Sequence, residues 1–392
     1  MGFRAFENAR LSLGDLTVLV GRNGAGKSTL IDAFEFIRDA LTDGLESALE
    51  RRGGISALMH RGERTRRELA MAVKLRLSSR YVQEVADEPG LGSAYWNPSS
   101  GDWDQSDVSV IYGFRIHLKR GGSGFAIKQE GVRFANEMGV QIPRLFSSIS
   151  LELPLFAQTD LRLRALLRAL RTSIRAYNLA PSAIRAEPVI GRTVVLQRDG
   201  GNAGDVLHQL EKNKKEVTWV VKHLAAITPG IVGIKTGTAV GRRTIRFLQR
   251  VGSKSRVNFN IGEMSDGTLR SLAALLALRQ NPAPAIVCID EIEESVHPAA
   301  LGVLIDAAMA TTERCQVILT SHSPEALSHP AVMAQSVRVI DWHEGQSRIF
   351  RLSPGAEESS KPPGSVGKLL RTNALFTARS PEQIEGDIFG NG

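Results

Sequence analysis

The spacing of apolar positions changes several times along the chain. Residues 16–20 (LTVLV) are a continuous apolar run, and in 29–41 (TLIDAFEFIRDAL) apolar residues recur at helical spacing. With the glycine-rich stretch between them, they predict a buried strand, a loop and a helix. Residues 44–65 are basic and contain glycine, and predict a helix and a loop. From Glu68 the period becomes two, through ELAMAVKLRLS, VSVIYGFRIHLKR, GSGFAIKQEGVRF and SISLELPLFA. Such alternation predicts antiparallel strands, with a hairpin at Gly121 and Gly122. Helical spacing returns in DLRLRALLRALRTSIRAYNL, from residue 159, and again over 203–227.

After Gly262 strands and helices alternate. EMSDGTLRSLAALLALRQ reads as loop then helix, AIVCID as a buried strand, HPAALGVLIDAAMATT as a helix and QVILTSHS as another buried strand. VRVIDWHEGQSRIFRL reads as a hairpin with a Glu-Gly turn, 353–365 as a polar linker and 366–376 as a short helical tail. Alternating strands and helices imply βαβ units and a mainly parallel sheet. The expected fold is α/β, a mixed sheet with antiparallel edge strands beside the first strand, plus a helical lobe. The expected division is 1–158 and 269–352 for the two parts of the sheet lobe, 159–268 for the helical lobe, and 353–392 for linker and tail.

Composition refines this picture without changing it. At 392 residues, 42% hydrophobic and 23% charged, the chain can bury a real core. Cys288 and Cys315 lie in or beside apolar runs and provide no disulfide framework, as in a reducing compartment. No apolar run approaches the roughly 20 residues that span a bilayer, and no secretory signal precedes the first strand. A cytoplasmic protein with no membrane partner is expected. The net charge of +8 admits a nucleic-acid partner. Residues 159–222 carry 12 Lys/Arg against six Asp/Glu, either the solvated face of amphipathic helices or a surface that tracks phosphates. DNA is therefore a candidate partner.

The glycine-rich stretch carries the sharpest chemistry. Residues 21–28 read GRNGAGKS, the spacing Gly-x4-Gly-Lys-Ser. Between a strand and a helix this spacing forms a phosphate-binding loop. The glycines let backbone N–H groups turn inward around an anion, and the helix N-terminus adds partial positive charge. Lys27 is placed for the β- and γ-phosphates and Ser28 for Mg²⁺. The expected nucleotide-binding set is Gly21, Arg22, Asn23, Gly24, Ala25, Gly26, Lys27, Ser28 and Thr29, with ATP and Mg²⁺ as cofactors.

Three later segments extend the site. AIVCIDEIE places Asp290 and Glu291 at the end of an apolar strand. In phosphate-loop enzymes an Asp here orders Mg²⁺, and Glu291 is then placed to polarise the attacking water. A solvated loop start is the alternative. MSDGTLR puts Ser265, Asp266 and Gly267 at a helix start 25 residues before Asp290. This is either an anion nest or an ordinary N-cap. QVILTSHSPEAL delivers His322 to a strand end among Thr320, Ser321 and Ser323.

Together GRNGAGKST, MSDGTLR, IDEIEESVHP and LTSHSP resemble the ABC-type ATPase heads of the RecF/SMC and OLD-like group. The resemblance is closest to stand-alone predicted AAA-type ATPases of bacteria, of phage-defence or genome-maintenance type. It covers nearly the whole chain, although MSDGTLR departs from the usual Leu-Ser-Gly-Gly-Gln signature. It implies a two-lobe head that binds ATP–Mg²⁺ and pairs head to tail, as a homodimer or a larger assembly, with two ATPs between subunits. In such a pair Ser265, Asp266 and Gly267 face the γ-phosphate of the other subunit, and His322 contacts the γ-phosphate of its own. Gln158 would touch Mg²⁺ and water at the lobe junction, with Gln129 and Gln141 as competitors. Ser295 and His297 occupy the place of the dimer-facing loop.

The departures narrow the function. No heptad repeat lies between the phosphate loop and MSDGTLR, so a long DNA-tethering arm is not expected. No acidic cluster of TOPRIM type follows His322, so a nuclease in cis is not expected. Ser265 lies 238 residues after Lys27, unlike the short spacing of ABC transporter subunits. The resemblance then implies an ATP hydrolase whose dimerisation controls a separate nuclease or TOPRIM-like effector. A RecF-like DNA-binding repair ATPase and an ATP-bound scaffold with negligible turnover are the alternatives.

Overall fold

A computed structural model describes residues 2–62, 67–78, 81–82, 85, 107–119, 124–136, 145–147, 161–186, 195–239, 241–252, 255–360, 365–377 and 379–381. In chain order the strands are β1 (Leu16–Gly21), β2 (Glu68–Leu77), β3 (Val108–Leu118), β4 (Phe125–Asn136), β5 (Leu145–Ser147), β6 (Ile174–Tyr177) and β7 (Ile231–Ala239). They continue with β8 (Arg242–Val251), β9 (Ser255–Asn260), β10 (Ile286–Ile289), β11 (Gln316–Ser321), β12 (Val337–His343), β13 (Gln346–Leu352) and β14 (Arg379–Pro381). The helices are α1 (Lys27–Asp43), α2 (Leu45–Glu50), α3 (Ile55–Leu58), α4 (Leu161–Thr172), α5 (Pro181–Arg185) and α6 (Ala203–Leu210). After them come α7 (Lys214–Ile227), α8 (Asp266–Arg279), α9 (Pro298–Thr311), α10 (Pro324–Leu327), α11 (Pro354–Ser359) and α12 (Ser365–Arg371).

The organising element is a seven-stranded sheet of order β14-β13-β12-β1-β11-β10-β6. From β12 to β6 its strands are parallel, and the β12–β13 hairpin and β14 form an antiparallel edge. Its continuous apolar runs are explained by burial on both faces. Leu16, Val18 and Val20 face one core, and Leu19 faces the other. Val287 and Ile289 follow the first set, Ile286 and Cys288 the second. The first face is covered by α8 and α9, with α7 packed on those two helices. The second is covered by α1, which is sandwiched between this sheet and a four-stranded sheet, β2-β3-β4-β5.

The expected α/β fold with a mixed sheet is present, with differences in how its parts are joined. The period-two strands after Glu68 do not border β1. They pair with one another and stack over α1. Alternation reports one buried face and leaves the partner strand unspecified. The β3–β4 hairpin forms as expected, its tip at 120–123 lying outside the described residues, as does the proposed strand at 148–157.

Residues 159–268 are not helical throughout. Helices α6 and α7 form where helical spacing indicated, but β6 joins the central sheet beside β10. A three-stranded sheet, β7-β8-β9, stands between α7 and α8. The expected linker contains α11, because Ser353 caps it by accepting the Ala356 N–H and Pro354 suits the first turn. The tail helix α12 forms as expected. No described helix is long and apolar enough to cross a membrane.

Helix α1 carries a carboxylate at the wrong depth for water. Glu35 is 1% exposed and its Oε1 lies 2.8 Å from Arg198 Nε. Burial raises its carboxyl to about 7 despite the opposing pull of Arg198. A folded value above the unfolded one means stability is retained at low pH and lost as pH rises through 7. At about 1.4 kcal/mol per unit, the wild type should lose roughly 3 kcal/mol between pH 4.5 and 8 from this group. Glu35→Gln should remove that loss in paired denaturant titrations. Equal pH slopes for the two proteins would refute the assignment.

Candidate nucleotide site

Strand register brings the separate motifs to one edge. Val20 of β1 pairs with Ser321 of β11, and Leu319 of β11 with Ile289 of β10. Because these strands are parallel, Gly21, His322 and Asp290 all leave the sheet at its carboxyl end. That crevice is where open parallel sheets bind ligands.

The loop between β1 and α1 turns tightly. Gly26 caps α1 with φ 110°, and a Cβ there would lie 2.7 Å from Ser347 Oγ. Only glycine suits that backbone and that space. Ser347 Oγ in turn donates to Ala25 O at 2.6 Å and fixes the loop to β13. Arg22 reaches the C-terminal tail, donating to Asn373 Oδ1 at 3.3 Å with its guanidinium over the Phe376 ring. Arg22, Asn23, Gly24 and Ser28 are exposed, Gly26 and Thr29 half-buried. Lys27 is buried at 6% exposure, and its Nζ donates to Gly21 O at 2.8 Å and Arg22 O at 3.2 Å. Burial lowers its pKa, while the charges of Glu291, Glu293 and Asp290 pull it back up.

Asp290 and Glu291 are held by one hydroxyl. Thr320 Oγ1 donates to Asp290 Oδ1 at 2.5 Å and accepts the Glu291 N–H at 2.7 Å. Asp290 is 5% exposed. Glu291 adopts φ 47°, a left-handed backbone uncommon for a non-glycine residue. Glu293 organises the next motif, as its Oε1 accepts the His322 N–H at 2.6 Å and lies 2.9 Å from His322 Nδ1. A proton on Nδ1 satisfies this contact and leaves Nε2 of the exposed ring for another partner.

Ser265 caps α8, its side chain accepting the Thr268 N–H at 3.3 Å. Arg185 lies 2.5 Å from Asp266 Oδ1 and donates to Met264 O at 2.7 Å. Gly267 packs against the loop after Glu291, where an added Cβ would overlap Ser295 O. Ser295 is itself left-handed at φ 60°, and His297 caps α9 through the Ala299 N–H. Deeper in, Arg270 is 3% exposed and bonds the loop backbone, with Nη2 donating to Asp290 O at 3.1 Å and Glu291 O at 2.9 Å.

Residues 16–328 match the family described as "AAA domain, putative AbiEii toxin, Type IV TA system". The chain belongs to this family. A comparison with curated proteins finds no match. Among solved structures, an SMC head bound to the C-winged helix domain of ScpA is similar, at TM-score 0.55 and 16% identity, covering 90% of this chain and 95% of that one. So is the Smc head with an extended coiled coil from Pyrococcus furiosus, bound to the C-terminal domain of ScpA, at TM-score 0.53 and 13% identity, covering 95% and 97%. The Smc head with a coiled coil and joint from Pyrococcus yayanosii matches at TM-score 0.50 and 12% identity, covering 95% and 98%. At these identities the likeness is one of fold, that of a P-loop NTPase of the ABC-ATPase-head type.

In this AAA-family head the structure brings Gly21–Ser28, Asp290, Glu291 and His322 to one crevice edge, and Ser265–Gly267 against Ser295. Gln158 and Gln141 lie outside the described residues, and Gln129 lies in β4 opposite Arg115. Three residues in the quoted motifs had no role assigned from sequence: Thr320, Glu293 and Arg270. Their signals were faint. Thr320 is a polar residue closing an apolar strand, Glu293 one acid among several, and Arg270 the one charged residue in 268–278. Among the described residues no group of His, Cys, Asp and Glu forms a metal cage.

Proposed function

We propose that this AAA-family head is a Mg²⁺-dependent ATP hydrolase that closes head to tail with a second copy around two ATPs. The observation that carries the reading is the Thr320 hydroxyl at the end of β10, which holds the Asp290 carboxylate and the Glu291 backbone N–H, with both acids in the electrostatic reach of buried Lys27. Gly21–Thr29 cradle the phosphates and Lys27 neutralises them. Ser28 and Asp290, and by the family resemblance Gln158, would hold Mg²⁺, which supplies charge neutralisation at the phosphates. Glu291 orients and deprotonates the attacking water, and His322, steadied by Glu293, reads the γ-phosphate. Ser265, Asp266 and Gly267 complete the site of the other copy, and the Ser295–His297 loop faces the same seam. Catalysis is positioning plus charge stabilisation. Phosphate release with Mg²⁺–ATP, rising more than linearly with protein concentration, is the expected result. No release at any concentration would refute the reading.

Closure would control a separate effector, of nuclease or TOPRIM-like type, in anti-phage defence or DNA maintenance. Two of the similar SMC heads were solved bound to a domain of ScpA, and the family description names a Type IV TA system, which together support a distinct protein partner. Co-purification from the native host should return such an effector.

A DNA contact has its own support, away from residues 159–222. Residues 231–260 hold seven Lys/Arg and no Asp/Glu. Lys235 pairs directly with Arg246 across β7–β8, and Arg250 with Arg256 across β8–β9. All four are exposed, on the face opposite Ile234, Ile245 and Phe247 of the core. Like charges directly opposite destabilise a sheet, so this face suits a polyanion. Positions 246 and 250 stand about 13 Å apart along β8, near the ~12 Å width of the DNA major groove. Arg246→Ala with Arg250→Ala should weaken duplex binding at least about tenfold and flatten its salt dependence. Unchanged affinity would remove this face from any DNA contact.

A further inference from the structure

We infer that Arg270 is a positioning residue that locks the start of α8 to the backbone of Glu291, so that whatever engages residues 265–267 sets the aim of the Glu291 carboxylate. The inference rests on the hydrolase reading above.

Helix α8 is buried almost throughout, and a charge there needs a reason. Arg270 finds four partners. Its Nη1 donates to Leu179 O and lies 2.8 Å from Glu294 Oε2, while Nη2 donates to Asp290 O and Glu291 O. The guanidinium fork therefore joins the segment after β6, the end of β10 and the following loop. Guanidinium geometry allows this, whereas a lysine ammonium is a single point donor.

The target of this fork is the strained residue. The peptide groups on either side of Glu291 are both restrained: its N–H donates to Thr320 Oγ1, and its C=O accepts from Arg270 and from the Glu294 N–H. A left-handed non-glycine residue is strained and persists only when its surroundings over-determine it. Thr320 and Arg270 are those surroundings. A second link sits one turn earlier on the same helix, where Gly267 meets Ser295 O without room for a side chain. Residues 265–270 and 290–295 thus move as one piece, and displacement at residues 265–267 reaches Glu291 without crossing a flexible joint.

Arg270→Lys is the discriminating variant, because it keeps the charge and most of the volume and loses the fork. The expected result is a fall in kcat of at least about tenfold with KM for ATP within about threefold, the pattern of lost transition-state positioning. Melting temperature should stay within a few degrees, and Glu294→Gln should leave kcat within about twofold, since Glu294 is half exposed and holds only one end of the fork. Turnover of Arg270→Lys within twofold of wild type overturns the inference. So does a loss of kcat matched by equal losses of ATP binding and melting temperature, which marks a structural strut. A readout independent of turnover separates failure of this inference from failure of the hydrolase reading. Amide exchange at Glu291 and Ile292 should accelerate at least about tenfold in Arg270→Lys. Unchanged exchange overturns the inference even if the wild type hydrolyses nothing.

Discussion

Glu291→Gln is expected to lower turnover by about 10²–10⁴-fold while ATP still binds, and to hold the protein as an ATP-dependent dimer. The substitution retains the shape and a carbonyl oxygen that can accept a hydrogen bond from water. It removes the basic oxygen that would take the proton. Its neighbouring carboxylates are engaged elsewhere among the described residues: Asp290 Oδ1 accepts from Thr320 Oγ1, and Glu293 Oε1 accepts the His322 N–H. The backbone contacts of Glu291 do not involve its carboxylate, so the variant should keep its fold. Light scattering with and without ATP, alongside phosphate release, checks both parts. Turnover within tenfold of wild type would show that another group deprotonates the water.

Lys27→Met is expected to weaken nucleotide binding by about 100-fold or more, worth roughly 2.7 kcal/mol in nucleotide-dependent stabilisation. Methionine keeps the apolar stem and deletes only the ammonium. That ammonium is buried, bonded to Gly21 O and Arg22 O and within the charge reach of Glu291, Glu293 and Asp290. Without it, ATP phosphates would approach three carboxylates with no buried cation from the loop to offset them. The thermal shift expected of the wild type with Mg²⁺–ATP should largely vanish. A full shift in Lys27→Met would mean the phosphates are held elsewhere.

Much of the site was legible because its requirements are local. A phosphate loop needs glycine where φ is positive and a lysine one step into a helix, and 21–28 state both within eight residues. The apolar runs of β1, β10 and β11 announced strands buried on both faces, and Glu344-Gly345 announced the β12–β13 turn through adjacent positive φ values. The end of AIVCID placed Asp290 and Glu291 at a strand terminus by the same local logic.

What the tertiary structure alone decided depends on pairing between distant segments. A period of two says that one face of a strand is buried, but the hydrogen bonds that choose its neighbour are identical backbone groups. Hence β2–β5 formed a sheet of their own over α1, while β6, preceded by a helix, entered the central sheet. Thr320 reached Asp290 and Glu291 because β10 and β11 are neighbours in register, and no spacing in the sequence encodes that contact. Arg270 and Glu293 became visible only when the partners of buried charges could be named. The like-charged rows on β7–β9 arose from register in the same way: seven cations can be counted along the chain, but their facing pairs exist only once the strands are aligned.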